Sequence, residues 1–357
     1  MKFEQKESTQ KYNIAIVDNT EINISILKIT AIWAFSESAF GGILHALNVP
    51  FRGLFISAAA VLFITLIIRY SKSRKEIFKA TLIVILIKAL VSPHTPLTAY
   101  FAVGIQGLLG YLLFINKNFF RLSAMLLGIM TLLFSAVQKL VVLTVLFGNT
   151  LWKSINIFIK QISKEFFSIG LSSDINYGHV LIWAYLTIHI AAGIFIGFYA
   201  GILPKKISYY SHKISESNFD ELNIGIPQKE KKKKKRNWFQ RPTGIIFLII
   251  SILLLLFSYL SPTNSGIASW EIVVMLIRSV LLTVLWYALL APIVKRLFQK
   301  YLSKKKSIYA QEIDEIMNLF PHFRNIVSYI WKNSSDKKGF KRIHYFISTS
   351  FFYLLLS

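Results

Sequence analysis

Residues 179–202 read HVLIWAYLTIHIAAGIFIGFYAGI, without a single Lys, Arg, Asp or Glu. The hydrocarbon core of a bilayer is about 30 Å thick, and an α-helix rising about 1.5 Å per residue crosses it in about 20 residues. This stretch is long and apolar enough to do so. Comparable runs precede it at 24–47, 51–70, 76–91, 97–115 and 120–147, and two more follow at 243–260 and 270–293. The pattern predicts an all-α, polytopic integral membrane protein: a six-helix N-terminal bundle, two further spans, and amphipathic cytoplasmic helices.

A hydrophobic fraction of 54% coexists with a net charge of +24 because the basic residues are gathered in short blocks between the apolar runs. Cytoplasmic loops of membrane proteins carry such a Lys/Arg excess. Arg69, Lys72, Arg74 and Lys75 follow the second run, Lys117 and Arg121 the fourth, and Lys205, Lys206 and Lys231 to Lys235 the sixth. The alternate connections, 48–52, 92–96 and 261–269, are nearly free of charge. The expected protein is therefore multi-pass in the cell membrane, with both termini cytoplasmic and the lipid bilayer, not nucleic acid, as its partner. The opening stretch mixes Lys2, Lys6 and Lys11 with Glu4, Glu7 and Asp18, which argues for an uncleaved first span over a signal peptide.

Composition divides the chain into a bundle at 1–203, a basic cytoplasmic linker at 204–242, and a region at 243–357 holding two spans and an amphipathic tail. Residues 148–178 alternate Trp152, Ile155, Phe158 and Ile162 with Lys153, Lys160 and Lys164, as a helix lying on the membrane surface or a lid would. Residues 294–340 are amphipathic and are expected along the inner face, and the apolar run Phe340 to Leu356 is barely long enough to cross.

Ionisable groups at membrane depth are costly and face a bundle interior or a watery cavity. Here they are Glu37, His45, Lys88, Lys139, His189 and Arg278. Glu37 needs a cationic partner, for which Lys88, Lys139 and Arg278 are available. Arg52 and His94 stand at outer helix ends, His94 between two prolines. Glu37, His45, Arg52, Lys88, His94 and Lys139 are the candidate substrate-binding residues. Two lysines against one glutamate in the first six spans leave a cation for a small anionic ligand. Small residues recur along one face of the first span at Ala31, Ala34, Ser38 and Gly41, with His45 beyond them. Such a stripe lets another backbone approach closely, from the same chain or from a separate subunit docking on Ala34, Ser38 and Gly41. Gly104, Gly107 and Gly110 on the fourth span, and Gly193 and Gly197 on the sixth, carry the same packing signal.

The chain has no cysteine, which excludes disulfides and thiolate chemistry. No nucleophile elbow, two-histidine metal helix or phosphate-binding glycine loop is present, so no enzyme activity, cofactor or metal is expected. Energy for transport would come from a partner or an ion gradient.

With six spans, cytoplasmic termini, the stripe Ala34-x-x-x-Ser38 and the segment Gly41-Gly42-Ile43-Leu44-His45, residues 24–202 resemble the substrate-binding S component of energy-coupling factor vitamin importers. The resemblance implies docking to a membrane coupling subunit through an alanine face of the first helix, with ATPases supplying energy. Ser38 stands where that face has alanine, and residues 203–357 lie outside the resemblance. The function expected is a substrate-binding or permease subunit of a multicomponent importer. A membrane-anchored assembly protein that recruits partners through its basic C-terminal region, and an ion-gradient-driven carrier using Glu37, are the alternatives.

Overall fold

The computed structural model describes residues 24–41, 51–92, 95–167, 175–215, 269–286 and 290–356. These are helical throughout, with short turns between helices and no strand among them. In chain order the helices are α1 (24–41), α2 (Arg52–Tyr70), α3 (Lys75–Val91), α4 (Leu97–Leu113), α5 (Phe120–Phe147), α6 (Asn149–Phe167), α7 (Tyr177–Ser215), α8 (Ser269–Leu285), α9 (Ala291–Ile308), α10 (Ala310–Asn333) and α11 (Gly339–Leu356). Three are long and apolar enough to cross a membrane: α2, α5 and α7 over Tyr177–Ile207. α4 is apolar but shorter. The predicted span at 243–260 and the lysine run Lys231 to Lys235 lie outside the described residues.

The helices fall into two compact units that interleave along the chain, whereas the sequence suggests a linear division. The first takes in residues up to Leu132, Ala191–Gly225 and Lys300–Ser357; the second holds Leu133–Ile190 and Ile226–Gln299. α7 also runs on past the expected end at 202, through Pro204, to Ser215.

In the first unit α3 is the central helix. Lys75, Glu76, Lys79 and Lys88 make it a poor span by composition, yet every residue from Ala80 to Lys88 is buried. A helix covered on all sides meets protein, not lipid, so its polar residues need partners and not hydrocarbon solubility. α2, α4 and the end of α1 supply that cover. The buried threonines Thr30, Thr65 and Thr81 donate to the carbonyl one turn earlier, at 2.6–2.7 Å, and so carry no unpaired hydroxyl. Arg74 ties the start of α3 to the end of α4, donating to the Tyr111 carbonyl at 3.3 Å and lying over its ring.

Close approach depends on glycine at several contacts, among them two in the first unit. A Cβ on Gly107 of α4 would collide with the Thr81 side chain of α3. Between α5 and α7, Gly128 faces Gly193 and Gly197, and a Cβ on Gly197 would lie 2.6 Å from the Ala124 carbonyl oxygen. The second is a backbone-to-backbone contact of the small-residue kind that drives helix association where lipid removes the hydrophobic incentive.

The C-terminal hairpin belongs to this same unit. Glu312 at the start of α10 pairs with Lys79 of α3 at 2.9 Å, and two to three turns later Phe320 and Phe323 meet Phe35 of α1 edge-on, with ring centroids 5.3 and 5.8 Å away. α10 therefore runs alongside α1 in the same direction. Its apolar stripe, Ile313, Ile316, Phe323, Ile326 and Ile330, is buried against protein. α11 returns antiparallel, bringing Phe351 to Phe63 of α2. The amphipathic pattern predicts helices along the inner face; here it serves packing onto the bundle.

In the second unit, α6 packs against α8. Its residues also cover the start of α7: Asn156 Oδ1 accepts from the Tyr177 backbone N–H at 2.7 Å, and Lys160 lies over the Tyr177 ring. The helix expected within 148–178 is thus present at Asn149–Phe167.

Candidate functional site

Near its described end α1 widens into a π-helical turn, Ser36–Phe40, closed by a bond from the Gly41 N–H to the Ser36 carbonyl five residues back. Such single turns inside α-helices are frequent at functional sites. This one carries Glu37, which is 3% exposed. Lys88, one turn before the end of α3, reaches it with Nζ 2.6 Å from Oε2; the two side chains are 7% and 2% exposed. Of the three cations available to Glu37 in the sequence, Lys88 is its partner.

The pair does not satisfy the carboxylate. Glu37 Oε1 is buried and has no hydrogen-bond partner, and neither has the hydroxyl of the adjacent Ser38. A buried acceptor without a donor costs about 1–3 kcal/mol, more when charged, and native structures seldom leave one without a reason. The backbone around the pair is held from α3 and α4. Ser92 donates to the Ser38 carbonyl at 3.4 Å, its own N–H bonds the Lys88 carbonyl at 2.9 Å, and Tyr100 donates to the Ser92 carbonyl at 3.3 Å. In the same unit Gln106 of α4 donates to Ser57 of α2 at 3.2 Å, with its own Oε1 buried and without a partner. Trp33, one turn before Glu37 on α1, has a buried indole N–H in the same condition. A set of buried polar groups thus lies among α1 to α4, with acceptors left open.

The remaining candidates are placed differently. His45 and His94 lie outside the described residues. Arg52 is exposed at the first turn of α2, after Phe51 in the left-handed region at φ 57°. Lys139 belongs to the second unit, where its Nζ lies 5.6 Å from the centroid of the Tyr185 ring; the Tyr185 carbonyl oxygen is 2.9 Å from Nδ1 of His189. Arg278, in that unit too, lies against Gly148. Ala34, Ser38 and Gly41 are all buried. A Cβ on Gly41 would sit 3.6 Å from Ile56 of α2, so the chain's own helix occupies that end of the stripe.

Ser57, Ser92, Tyr100 and Gln106 were not singled out from the sequence. Gln106 had a legible signal, as a lone amide in an otherwise apolar run, Phe101 to Leu113. The serines did not, since serine is unremarkable in a membrane helix. Among the described residues no group of three or more His, Asp or Glu is placed to hold a metal ion.

A second polar recess lies at the other end of α1, lined by Thr30, Glu76, Lys79, Gln311, Glu312 and Glu315. Burial raises the Glu312 carboxyl's affinity for its proton, but the hydrogen bond and charge of Lys79 outweigh this and hold its pKa below the ordinary value. This is a partly exposed salt bridge that joins α10 to α3.

No family model, curated protein or solved structure matches the chain.

Proposed function

We propose that the chain is a multi-pass protein of the cell membrane with both termini cytoplasmic. It acts as the solute-binding or permease subunit of a multicomponent importer, as its resemblance to S components implies, with a coupling subunit and ATPases as partners. The observation that carries this reading is the Glu37–Lys88 pair, buried on a π-helical turn with one carboxylate oxygen left without a donor. Lipid-facing spans need no such group, and a strut would be better served by a fully bonded one. Because Lys88 is neutralised by Glu37, it is not a spare cation for an anion. The site suits a small polar solute that donates a hydrogen bond to Oε1 through a hydroxyl or ammonium group.

The test is extraction of small molecules from the purified full chain, followed by mass spectrometry, in wild type and E37Q/K88M. A solute retained by the wild type and lost from a folded double variant supports the reading. Equal solute content in both contradicts it. The same oxygen would take a proton in a gradient-driven carrier; uptake that survives ATP depletion and collapses with the ion gradient favours that alternative.

A further inference from the structure

The turn joining α10 to α11 reads Ser334-Ser335-Asp336-Lys337-Lys338-Gly339-Phe340-Lys341-Arg342-Ile343-His344. Four of these eleven residues are Lys or Arg and one is acidic. The turn is firmly built. Ser334 is fully buried and donates to the Trp331 carbonyl at 2.8 Å, while Arg342 donates to Ser334 Oγ and to the Trp331 carbonyl, both at 3.2 Å, and lies over the Trp331 ring. Trp331 in turn meets Phe346 of α11 edge-on. Arg342 is thus consumed in closing the hairpin.

Lys338 and Lys341 are not. Lys337 leans on the Tyr345 ring, 3.7 Å from its centroid, and touches Asp336 at 3.2 Å. Lys338, Lys341 and His344 are exposed and line, with Asp336, Lys337, Phe340, Tyr345, Ser348 and Thr349, a shallow groove along one face of α11. Beside them on the same helix runs an apolar stripe open to the surroundings: Phe340 is 81% exposed, Ile343 49% and Ile347 55%. Ammonium groups and hydroxyls along a groove, flanked by exposed aliphatic and aromatic side chains, match the two halves of a phospholipid. Phosphate meets lysines, and acyl chain meets Phe340 and the isoleucines. A protein or nucleic-acid partner is less well matched, since the apolar stripe and the basic groove lie side by side on one helix instead of forming a ringed patch.

We propose that the α11 groove is a binding site for an anionic phospholipid, its headgroup phosphate held by Lys338 and Lys341. The site is independent of the Glu37 pair and of any transport role. In a membrane that supplies such a lipid, it anchors the α10–α11 hairpin.

The experiment uses the full chain in nanodiscs with a photoreactive phosphatidylglycerol probe and maps crosslinks by peptide mass spectrometry. Crosslinks are expected on residues 337–349. K338Q/K341Q should lower them by roughly fivefold for each lysine removed. F340S should weaken crosslinking there by a phosphatidylcholine probe as well, because it removes acyl-chain contact. K304Q/K305Q, which removes two lysines from α9, should leave the site untouched. The proposal is overturned if K338Q/K341Q crosslinks like wild type, if K304Q/K305Q lowers the signal equally, or if phosphatidylcholine labels the wild-type groove as strongly as phosphatidylglycerol. Displacement of the probe by millimolar inorganic phosphate would show a free-phosphate site instead and would also overturn it.

Discussion

Two helix contacts in the first unit use opposite means to the same end. α5 and α7 meet through Gly128, Gly193 and Gly197, backbone on backbone, with Arg121 of α5 beside Gly201 one turn further on. α1 and α3 meet through Glu37 and Lys88, a buried charge pair 2.6 Å apart. The first needs nothing but the absence of side chains. The second gives up the solvation of two ions and leaves an oxygen without a donor. Packing alone can join membrane helices, so the more expensive contact calls for a purpose beyond joining them, and that contrast is the ground for proposing a working site at Glu37.

The contrast breaks most visibly if one ion is removed. K88M strands the Glu37 carboxylate, and the expected loss is about 3–5 kcal/mol of stability, seen as a large fall in the midpoint of thermal unfolding followed by fluorescence size exclusion. E37Q/K88M, which removes both charges, should recover most of that loss. If it does not, the pair is a strut and the site lies elsewhere.

Next comes the glycine contact. G197V forces α5 and α7 apart and is expected to cost about 1–3 kcal/mol or more, with no change in any bound solute as long as the protein folds. G107A, against Thr81, should act in the same range. Each would be read by the same thermal assay.

The smallest effect is expected at the Lys79–Glu312 bridge, whose side chains are 41% and 27% exposed. E312Q should cost about 0.2–1 kcal/mol at neutral pH. Because the folded-state pKa of Glu312 is depressed, its contribution is present above the ordinary carboxylate value and fades as pH falls through the lowered one. The difference between wild type and E312Q should therefore vanish in acid, and a difference that grew there would contradict the pairing.

Much of the helical content was legible because the signal is simple. A run such as residues 179–202, with no charge, has few other fates than a long apolar helix. Glu37, Lys88 and the glycines stood out for a related reason: ions and bare backbone are conspicuous in apolar runs. Which cation Glu37 would choose was not, since Lys88, Lys139 and Arg278 are alike by type, and only the π turn and the end of α3 decide between them. The placement of α10 was also hidden. Its stripe of Ile313, Ile316, Phe323 and Ile326 has the same spacing whether it lies on lipid or on protein, and Phe35 carries no mark of being its partner. Ser92 and Tyr100 act through backbone carbonyls, which a sequence does not display.

Under the proposed function a solute taken from outside reaches Glu37 through water, and the absence of native cysteine allows this to be tested at one atom. Ser38→Cys places a single thiol beside Glu37, and a membrane-impermeant maleimide is added outside intact cells. Labelling of Ser38→Cys that E37Q/K88M alters in rate is the expected result. A thiol that stays unlabelled from outside, or reacts only once the cytoplasmic face is opened, would contradict the account.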